Sequence, residues 1–211
     1  FPNEAQMGSQ TRNSCAIAIM VKRSLYRYAR AMGHHIHSMQ VDLNKAYNRV
    51  NRKKLWIKIE KMGIRGKLLL AIKSTYEMAR DVIKIGNSVS KPFHLTHGLR
   101  QGSVLSPLLF ILYMDELLEE LQANTNGAQV PGASSNGVAA LMFVDDLETF
   151  TSDTAEMKKQ HEIAPRYALN NDAVISAEKS TITSSALASA INPEIDNLNL
   201  GLTITKSVKV L

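Results

Sequence analysis

Hydrophobic residues recur at helical spacing in several segments of the chain. The pattern predicts helices over residues 14–32, 51–62, 66–79, 104–121 and 153–169. Asn51 is suited to cap the second of these helices, and Gly63 is a normal helix stop. Pro165 should bend or end the last helix, because proline cannot donate the backbone hydrogen bond of a helix interior.

Short apolar runs between turn residues predict the strands. The strand candidates are residues 38–43, residues 82–85 before the turn at 86–87, a hairpin over 138–151, and two stretches near 173–184 and 202–211. Residues 124–137 are rich in Asn, Gly, Ser and Ala and predict a surface loop. Helices and strands do not alternate as they do in a doubly wound fold, so the predicted class is α+β.

The composition changes this picture in three ways. The 211 residues with 45% hydrophobic content can bury one core plus a small subdomain. A single cysteine, Cys15, excludes an internal disulfide framework and a cysteine-rich zinc site. Because no apolar run approaches the roughly 18 residues of a membrane span, we expect an intracellular protein with no membrane partner. The chain begins at Phe1 and ends within a predicted strand, so we expect it to be a piece of something longer.

Positive and negative charges are unevenly divided along the chain. The whole sequence has a net charge of +6. Residues 1–100 hold 19 Lys and Arg against 5 Asp and Glu, whereas residues 101–211 hold 6 against 14. The first half is therefore suited to contact phosphates, although ordinary solvated helix faces would explain the same counts.

Three carboxylates follow or interrupt apolar segments. Asp42 ends one predicted strand, and Asp145 and Asp146 lie at the tip of the predicted hairpin. Carboxylates in apolar surroundings need a compensating cation, and Mg²⁺ prefers a few carboxylates together with substrate phosphates. A plain turn with solvated acids is the alternative for Asp145 and Asp146.

A glycine-containing segment precedes the long apolar helix. Gly98 and Gly102 would let backbone approach a ligand closely, and Gln101 between them offers a donor and an acceptor. The amides at the start of the following helix are suited to an anion such as a phosphate. A glycine-rich loop with a helix cap is the alternative.

Three ordered motifs resemble those of reverse transcriptases, most closely the enzymes of non-LTR retrotransposons and next those of group II introns. They are residues 41–47 (Val-Asp-Leu-Asn-Lys-Ala-Tyr), 98–110 (Gly-Leu-Arg-Gln-Gly-Ser-Val-Leu-Ser-Pro-Leu-Leu-Phe) and 143–146 (Phe-Val-Asp-Asp). Gln6 and Gly8 resemble remnants of an upstream fingers motif. The resemblance covers nearly the whole chain.

The resemblance implies a two-metal site. Asp42 and Asp145 would hold two Mg²⁺ ions, for which Mn²⁺ could substitute. The carbonyl of Leu43 would complete a coordination shell, and Asp146 would assist.

The resemblance also implies a nucleotide pocket. Tyr47 would lie beneath the sugar and exclude a 2′-hydroxyl, and Gln101 and Gly102 would line the pocket against the template. Lys179 would act as general acid near the pyrophosphate. A core aromatic is the alternative for Tyr47, and an exposed turn lysine is the alternative for Lys179.

By the same resemblance the chain would hold the fingers and palm of a right-hand polymerase, an antiparallel palm sheet with packed helices, without a thumb. Residues 1–37 would belong to the fingers, and residues 38–50 to the palm with its first catalytic motif. Residues 51–95 would form fingers and palm helices and a hairpin. Residues 96–211 would form the rest of the palm, with a primer-grip strand beginning at residues 208–211.

The implied function is RNA-dependent DNA synthesis, with an RNA template, a DNA primer and deoxynucleoside triphosphates as partners. Further domains of the same polyprotein, a thumb and an endonuclease, would accompany the chain, and activity of the isolated piece is in doubt. A eukaryotic retrotransposon protein would be nuclear. Two other functions stay open: an inactive RNA-binding module, and an RNA-dependent RNA polymerase, against which Tyr47 argues. The upstream motif departs from the family pattern, with Ser9 and Gln10 where Phe-Arg is usual, so the fingers contact to the triphosphate is open between Arg12, Lys22 and Arg23.

Overall fold

The computed structural model describes residues 2–129, 137–185 and the backbone of 203–205. Within these residues the helices are α1 (Cys15–Ala31), α2 (Ala46–Arg49), α3 (Arg52–Lys61), α4 (Gly66–Glu77), α5 (Leu105–Asn124) and α6 (Thr154–Asn170). The strands are β1 (His37–Val41), β2 (Lys84–Ile85), β3 (Ser88–Val89), β4 (Ala140–Phe143), β5 (Asp146–Thr151), β6 (Thr181–Ser184) and β7 (Thr203–Thr205). The predicted α+β class is confirmed.

Polar side chains cap the helices where the sequence offers them. Asn51 accepts hydrogen bonds from the amides of Lys53 and Lys54, which confirms its predicted capping of α3. Ser14 and Asp153 cap α1 and α6 in the same way. These bonds satisfy amides that the first helical turn leaves without a partner.

Five strands form one sheet in the order β4-β5-β1-β6-β7. The central strand β1 is antiparallel to both β5 and β6. Strands β4 and β5 are also antiparallel, which confirms the expected antiparallel palm sheet, whereas β7 runs parallel to β6. Parallel neighbours need a connection of about a dozen residues or more, and the sequence between the two strands is long enough to provide one.

Successive side chains of a strand point to opposite faces, so the sheet supports two hydrophobic clusters. On one face, Met39, Val41 and Leu147 pack with residues of α3, α4, α5 and α6 in the main core. On the other face, Leu141 and Phe150 pack with Leu25 and other residues of α1. The sheet therefore lies between α1 on one face and α3, α4, α5 and α6 on the other.

Two predictions about the second half of the chain hold in part: the last helix forms but does not end at Pro165, and the β-rich stretch near residues 173–184 forms a strand only at its end. Helix α6 continues through Pro165 to Asn170, because Ile163, Ala164 and Tyr167 on both sides of the proline are buried in the main core. Residues 173–180 contain an isolated β-bridge at Ile175 and a turn over 177–179 instead of a continuous strand, and β6 begins only at Thr181. The predicted primer-grip strand at residues 208–211 lies outside the described residues. Residues 130–136 of the predicted loop also lie outside them.

Elsewhere, the predicted type of element agrees with the structure even where its length differs. The strand predicted over residues 82–85 forms as β2, which is shorter than expected and pairs with β3 across the predicted turn. Trp56 is partly buried against the main core and meets Tyr76 edge to face, with ring centroids 5.7 Å apart. No helix among the described residues combines the length and apolarity needed to cross a bilayer.

Candidate active site

Asp42, Asp145 and Asp146 meet at one end of the sheet, and we call these three residues the carboxylate edge. Val41, the last residue of β1, pairs with Leu147 of β5. Asp42 follows Val41 and Asp146 precedes Leu147, so the two aspartates continue the same antiparallel register. Facing residues of such a pair have Cα atoms about 4.5–5.5 Å apart. Asp145 is adjacent, in the two-residue turn between β4 and β5.

The acids of the carboxylate edge influence one another. Burial raises the pKa of Asp145 above its ordinary value, and the negative charges of Asp146 and Asp42 raise it further. Like charges that are held together resist ionisation unless a cation balances them. The arrangement therefore favours a bound cation.

The donor set suits a hard divalent cation that also binds substrate. Among the described residues, no three His, Cys, Asp or Glu side chains are placed so that together they could hold a metal ion. Mg²⁺ does not need three such ligands, since it is usually held by one or two carboxylates plus substrate phosphates and water. Asp42 is 34% exposed, so its carboxylate can be reached from solvent. The residues fit the predicted ion on this chemistry.

A tight turn over residues 176–180 supports Asp42. The amide of Ser176 donates to the Asp42 carbonyl at 2.9 Å, and the Asp42 amide donates to the Ser180 hydroxyl at 3.1 Å. The same turn brings Lys179 to Asp42, with Nζ and Oδ2 separated by 3.9 Å. Lys179 is 72% exposed, so it is both a turn lysine and a neighbour of the carboxylate edge.

Leu43, the predicted carbonyl ligand, directly follows Asp42 and is buried. It forms an isolated antiparallel bridge with Ile175, just before the turn that carries Lys179. The backbones of Asp42 and Leu43 are therefore both contacted by the same segment, residues 175–180.

A cleft of about 440 Å³ opens beside Asp42, Asp146 and Lys179. Lys22 of α1 also lines this cleft, but its ammonium group is paired with Glu148 at 2.7 Å. Of the three fingers candidates, Lys22 is thus the one that reaches this cleft. Glu148 was missed in the sequence, although its place two residues after Asp146 puts both on one face of β5.

Tyr47, Gln101 and Gly102 line a second pocket of about 430 Å³. The Tyr47 ring stacks on Phe110 with centroids 4.8 Å apart, so one face belongs to the core while the residue still borders the pocket. Burial raises the pKa of Tyr47, and the charge of Asp145 raises it further. The second pocket is therefore within electrostatic reach of the carboxylate edge.

The segment that contains Gln101 is anchored directly on α2. The amides of Gly98 and Leu99 donate to the carbonyls of Val50 and Tyr47, each at 2.8 Å. Gly98 has φ +82°, and a Cβ there would lie 2.9 Å from the carbonyl oxygen of Asn48. Glycine is therefore required at this close approach, which ties the predicted glycine segment to the helix of Tyr47.

The amino-acid sequence matches, over residues 3–211, the family described as Reverse transcriptase (RNA-dependent DNA polymerase). The Retrovirus-related Pol polyprotein from type-1 retrotransposable element R2 of Popillia japonica is 28% identical over 61% of this chain and 21% of the relative. The corresponding protein from type-2 retrotransposable element R2DM of Drosophila melanogaster is 27% identical over 69% of this chain and 13% of the relative.

The fold is similar to that of a solved telomerase. The apo telomerase of Candida tropicalis, truncated from its C-terminal domain, superimposes with a TM-score of 0.62 at 16% identity. The superposition covers 86% of this chain and 37% of the telomerase chain. The chain spans about a fifth or less of the length of the two curated relatives.

Proposed function

This chain belongs to the reverse transcriptase (RNA-dependent DNA polymerase) family, and from that premise we propose that it joins deoxynucleotides to the 3′-hydroxyl of a primer on an RNA template. The family match confirms the resemblance carried by the three motifs, and the R2 relatives agree with the non-LTR type. The observation that carries the proposal is the convergence of Asp42, Asp145 and Asp146 at one end of the sheet, beside a cleft that Asp42 and Asp146 line.

In the proposed reaction the primer 3′-hydroxyl loses its proton to solvent, and its oxygen attacks the α-phosphorus of a deoxynucleoside triphosphate. A new oxygen–phosphorus bond forms, the bond between the α-phosphorus and the bridging oxygen breaks, and pyrophosphate leaves. Two Mg²⁺ ions, or Mn²⁺, would stabilise the attacking and leaving oxygens. Asp42 and Asp145 would hold them, with the Leu43 carbonyl and Asp146 assisting. The protein's main contribution is then to position charge before the reaction begins.

Lys179 is the proposed proton donor for the leaving pyrophosphate. Its Nζ lies 3.9 Å from Asp42 Oδ2, and its 72% exposure leaves it accessible to a triphosphate in the cleft. A lysine ammonium group can give a proton to the leaving oxygen and recover one from solvent.

The second pocket is the proposed place of the nucleotide sugar and of the base pair with the template. Tyr47 is held rigidly by its stacking on Phe110, which suits a side chain that excludes a 2′-hydroxyl. Gln101 and Gly102 are exposed at the pocket rim, where they can line the base pair. The basic first hundred residues are the proposed contacts to template phosphates, which would make template affinity fall with rising salt.

Primer extension tests the proposal. Natural protein that contains this chain is given an RNA template, a DNA primer, deoxynucleotides and Mg²⁺. We expect Asp42→Asn to lower the rate more than about a hundredfold, since even groups that only orient a metal ligand contribute about 10- to 100-fold. The matched control is Glu119→Gln, which alters an exposed acid of α5 and should leave the rate unchanged.

The same assay separates the other two functions. Wild-type protein that binds RNA but extends no primer with Mg²⁺ or Mn²⁺ would be an inactive binding module. Wild-type protein that prefers ribonucleotides would be an RNA polymerase. We expect Tyr47→Ala to let ribonucleotides compete with deoxynucleotides, whereas Tyr28→Ala on α1 should not; unchanged discrimination would make Tyr47 only a core aromatic.

A further inference from the structure

The turn that carries Asp145 has a backbone conformation that its sequence does not favour. Val144 and Asp145 link β4 to β5, and Val144 has φ +60°. Positive φ is costly for a β-branched residue, because its Cβ substituents crowd the neighbouring backbone. A hairpin turn of this kind normally has glycine at that position. Some other contact must therefore hold Val144 in place.

The buried side chain of Gln6 supplies that contact. Gln6 is 1% exposed, and its Oε1 accepts a hydrogen bond from the Val144 amide at 2.9 Å. Its Nε2 faces the Val144 carbonyl oxygen at 3.5 Å. The Gln6 amide group thus contacts both main-chain polar groups of the strained residue. Oε1 also accepts from the Gly8 amide at 3.0 Å, which fixes the orientation of the amide group.

The backbone around Gln6 is attached to β4. The Met7 amide donates to the Met142 carbonyl at 2.6 Å, and the Met142 amide donates to the Ala5 carbonyl at 2.9 Å. A Cβ at Gly8 would lie 2.6 Å from Val144 Cγ2, so glycine lets the segment approach the turn. Residues 5–8 therefore form a rigid support against the turn.

We propose that Gln6 is a positioning residue that holds Val144 in its left-handed conformation and thereby fixes the direction of Asp145. The proposal rests on the proposed function, since Asp145 matters there as a metal-holding carboxylate. A misplacement of about 1 Å at a reacting centre can cost about a hundredfold in rate. Gln6 acts through the turn and does not itself touch the substrate.

The test compares Gln6→Leu in two backgrounds, the natural Val144 and Val144→Gly. Glycine adopts positive φ without strain, so the turn no longer needs the Gln6 contact. With Val144 present, we expect Gln6→Leu to lower kcat about a hundredfold with little change in the KM for deoxynucleotide. In the Val144→Gly background the loss should be less than about tenfold, because the turn then keeps its shape unaided.

The matched control is Gln10→Leu. Gln10 belongs to the same segment but donates to the Asn3 carbonyl and not to the turn, so kcat should be unchanged. Equal losses from Gln6→Leu in both backgrounds, or a loss no larger than that from Gln10→Leu, would overturn the proposal. Should Gln6→Leu fail to fold, Gln6→Asn keeps the amide but is one methylene too short, and the same comparison applies.

Amide hydrogen exchange over residues 140–150 gives a readout that does not depend on polymerase activity. We expect faster exchange at the Val144 amide in Gln6→Leu than in wild type, and no change in Gln10→Leu. Unchanged exchange in Gln6→Leu would overturn the proposal. If the wild-type protein extends no primer, but the Val144 amide still exchanges faster in Gln6→Leu than in wild type, the proposed function is refuted. The support of the turn by Gln6 would then stand.

Discussion

Two regions of the molecule hold charged side chains close together, and they balance that charge differently. The Lys58 cluster comprises Lys58, Tyr113, Glu116 and Tyr167, between α3, α5 and α6. Lys58 Nζ lies 2.7 Å from Glu116 Oε2 and donates to the Tyr167 hydroxyl at 2.6 Å and the Tyr113 carbonyl at 3.0 Å. Burial lowers the pKa of Lys58, and the carboxylate of Glu116 opposes that shift.

The carboxylate edge holds three acids close together. The exposed Lys179 forms an ion pair with one of them, with its Nζ 3.9 Å from Asp42 Oδ2. The charge of the Lys58 cluster is therefore satisfied by the fold itself, whereas the carboxylate edge retains negative charge that a ligand could balance. A buried charge with complete partners is part of the structure. A group of like charges held at an accessible edge is a functional-site candidate.

The largest expected effect separates activity from stability at the carboxylate edge. We expect Asp145→Asn to lower primer extension more than about a hundredfold. Its free energy of unfolding without metal should not fall, because burial and two neighbouring acids already disfavour the charged form. Urea unfolding beside rate measurements checks both points. A loss of more than about 1 kcal/mol would mean that Asp145 is a structural residue.

The opposite pattern is expected in the Lys58 cluster. Lys58→Met should destabilise the fold by about 1–3 kcal/mol, because it removes hydrogen bonds from buried oxygen atoms. Activity per folded molecule should be retained. The control Lys53→Met alters an exposed lysine of the same helix and should change stability by less than about 0.5 kcal/mol. Equal effects of the two substitutions would show that the buried contacts contribute nothing.

A pH titration sharpens the comparison further. Burial raises the pKa of Tyr113 to about 12, above the ordinary value of 10.0. Below pH 10 the phenol is neutral in both folded and unfolded chains, so its contribution to stability is complete there. Above pH 10 the unfolded chain ionises first, and stability falls as the pH rises toward 12.

Between pH 10 and 11 this contribution should fall by up to about 1.4 kcal/mol. Denaturant unfolding should show a shallower pH dependence for Tyr113→Phe than for wild type. Tyr28→Phe, which removes a phenol from α1, is the matched control and should keep the wild-type slope. If the free energy of unfolding had the same pH dependence in Tyr113→Phe and wild type, burial would not keep this phenol neutral in the folded chain.

The smallest expected effect is stabilisation by metal. Mg²⁺ at about five times its Kd should raise the free energy of unfolding by about 1 kcal/mol. Asp145→Asn should lose this increment and Lys58→Met should keep it, since only the first lies at the carboxylate edge. Equal stabilisation of both variants would place the ion elsewhere.

Local signals in the sequence predicted most elements correctly. Asn51 caps α3 as expected, because its side chain reaches amides only two and three residues away. The motifs also predicted that Tyr47, Gln101 and Gly102 share a pocket. Their roles, and that of Lys179, stay predictions until the assays above are done.

The errors arose where distant contacts outweigh local preference. Pro165 lies within α6 because the residues around it are buried against α5 and the sheet, and that burial compensates for the missing hydrogen bond. The stretch 173–180 contains β-favouring side chains, yet only Ile175 forms a β-bridge and residues 176–180 form the turn that holds Asp42. Neither outcome depends on residues close by in the sequence.

The sequence by itself determined the five longer helices, though not the short α2, together with the positions of the three acids along the chain and the family to which the chain belongs. Only the tertiary structure decided that Lys58 is a buried structural charge and that Gln6 supports the turn before Asp145. Lys58 meets Tyr167 across 109 residues, and Gln6 meets Val144 across 138. Hydrophobic periodicity and caps act over a few residues, whereas contacts at such separations exist only once the whole core has assembled.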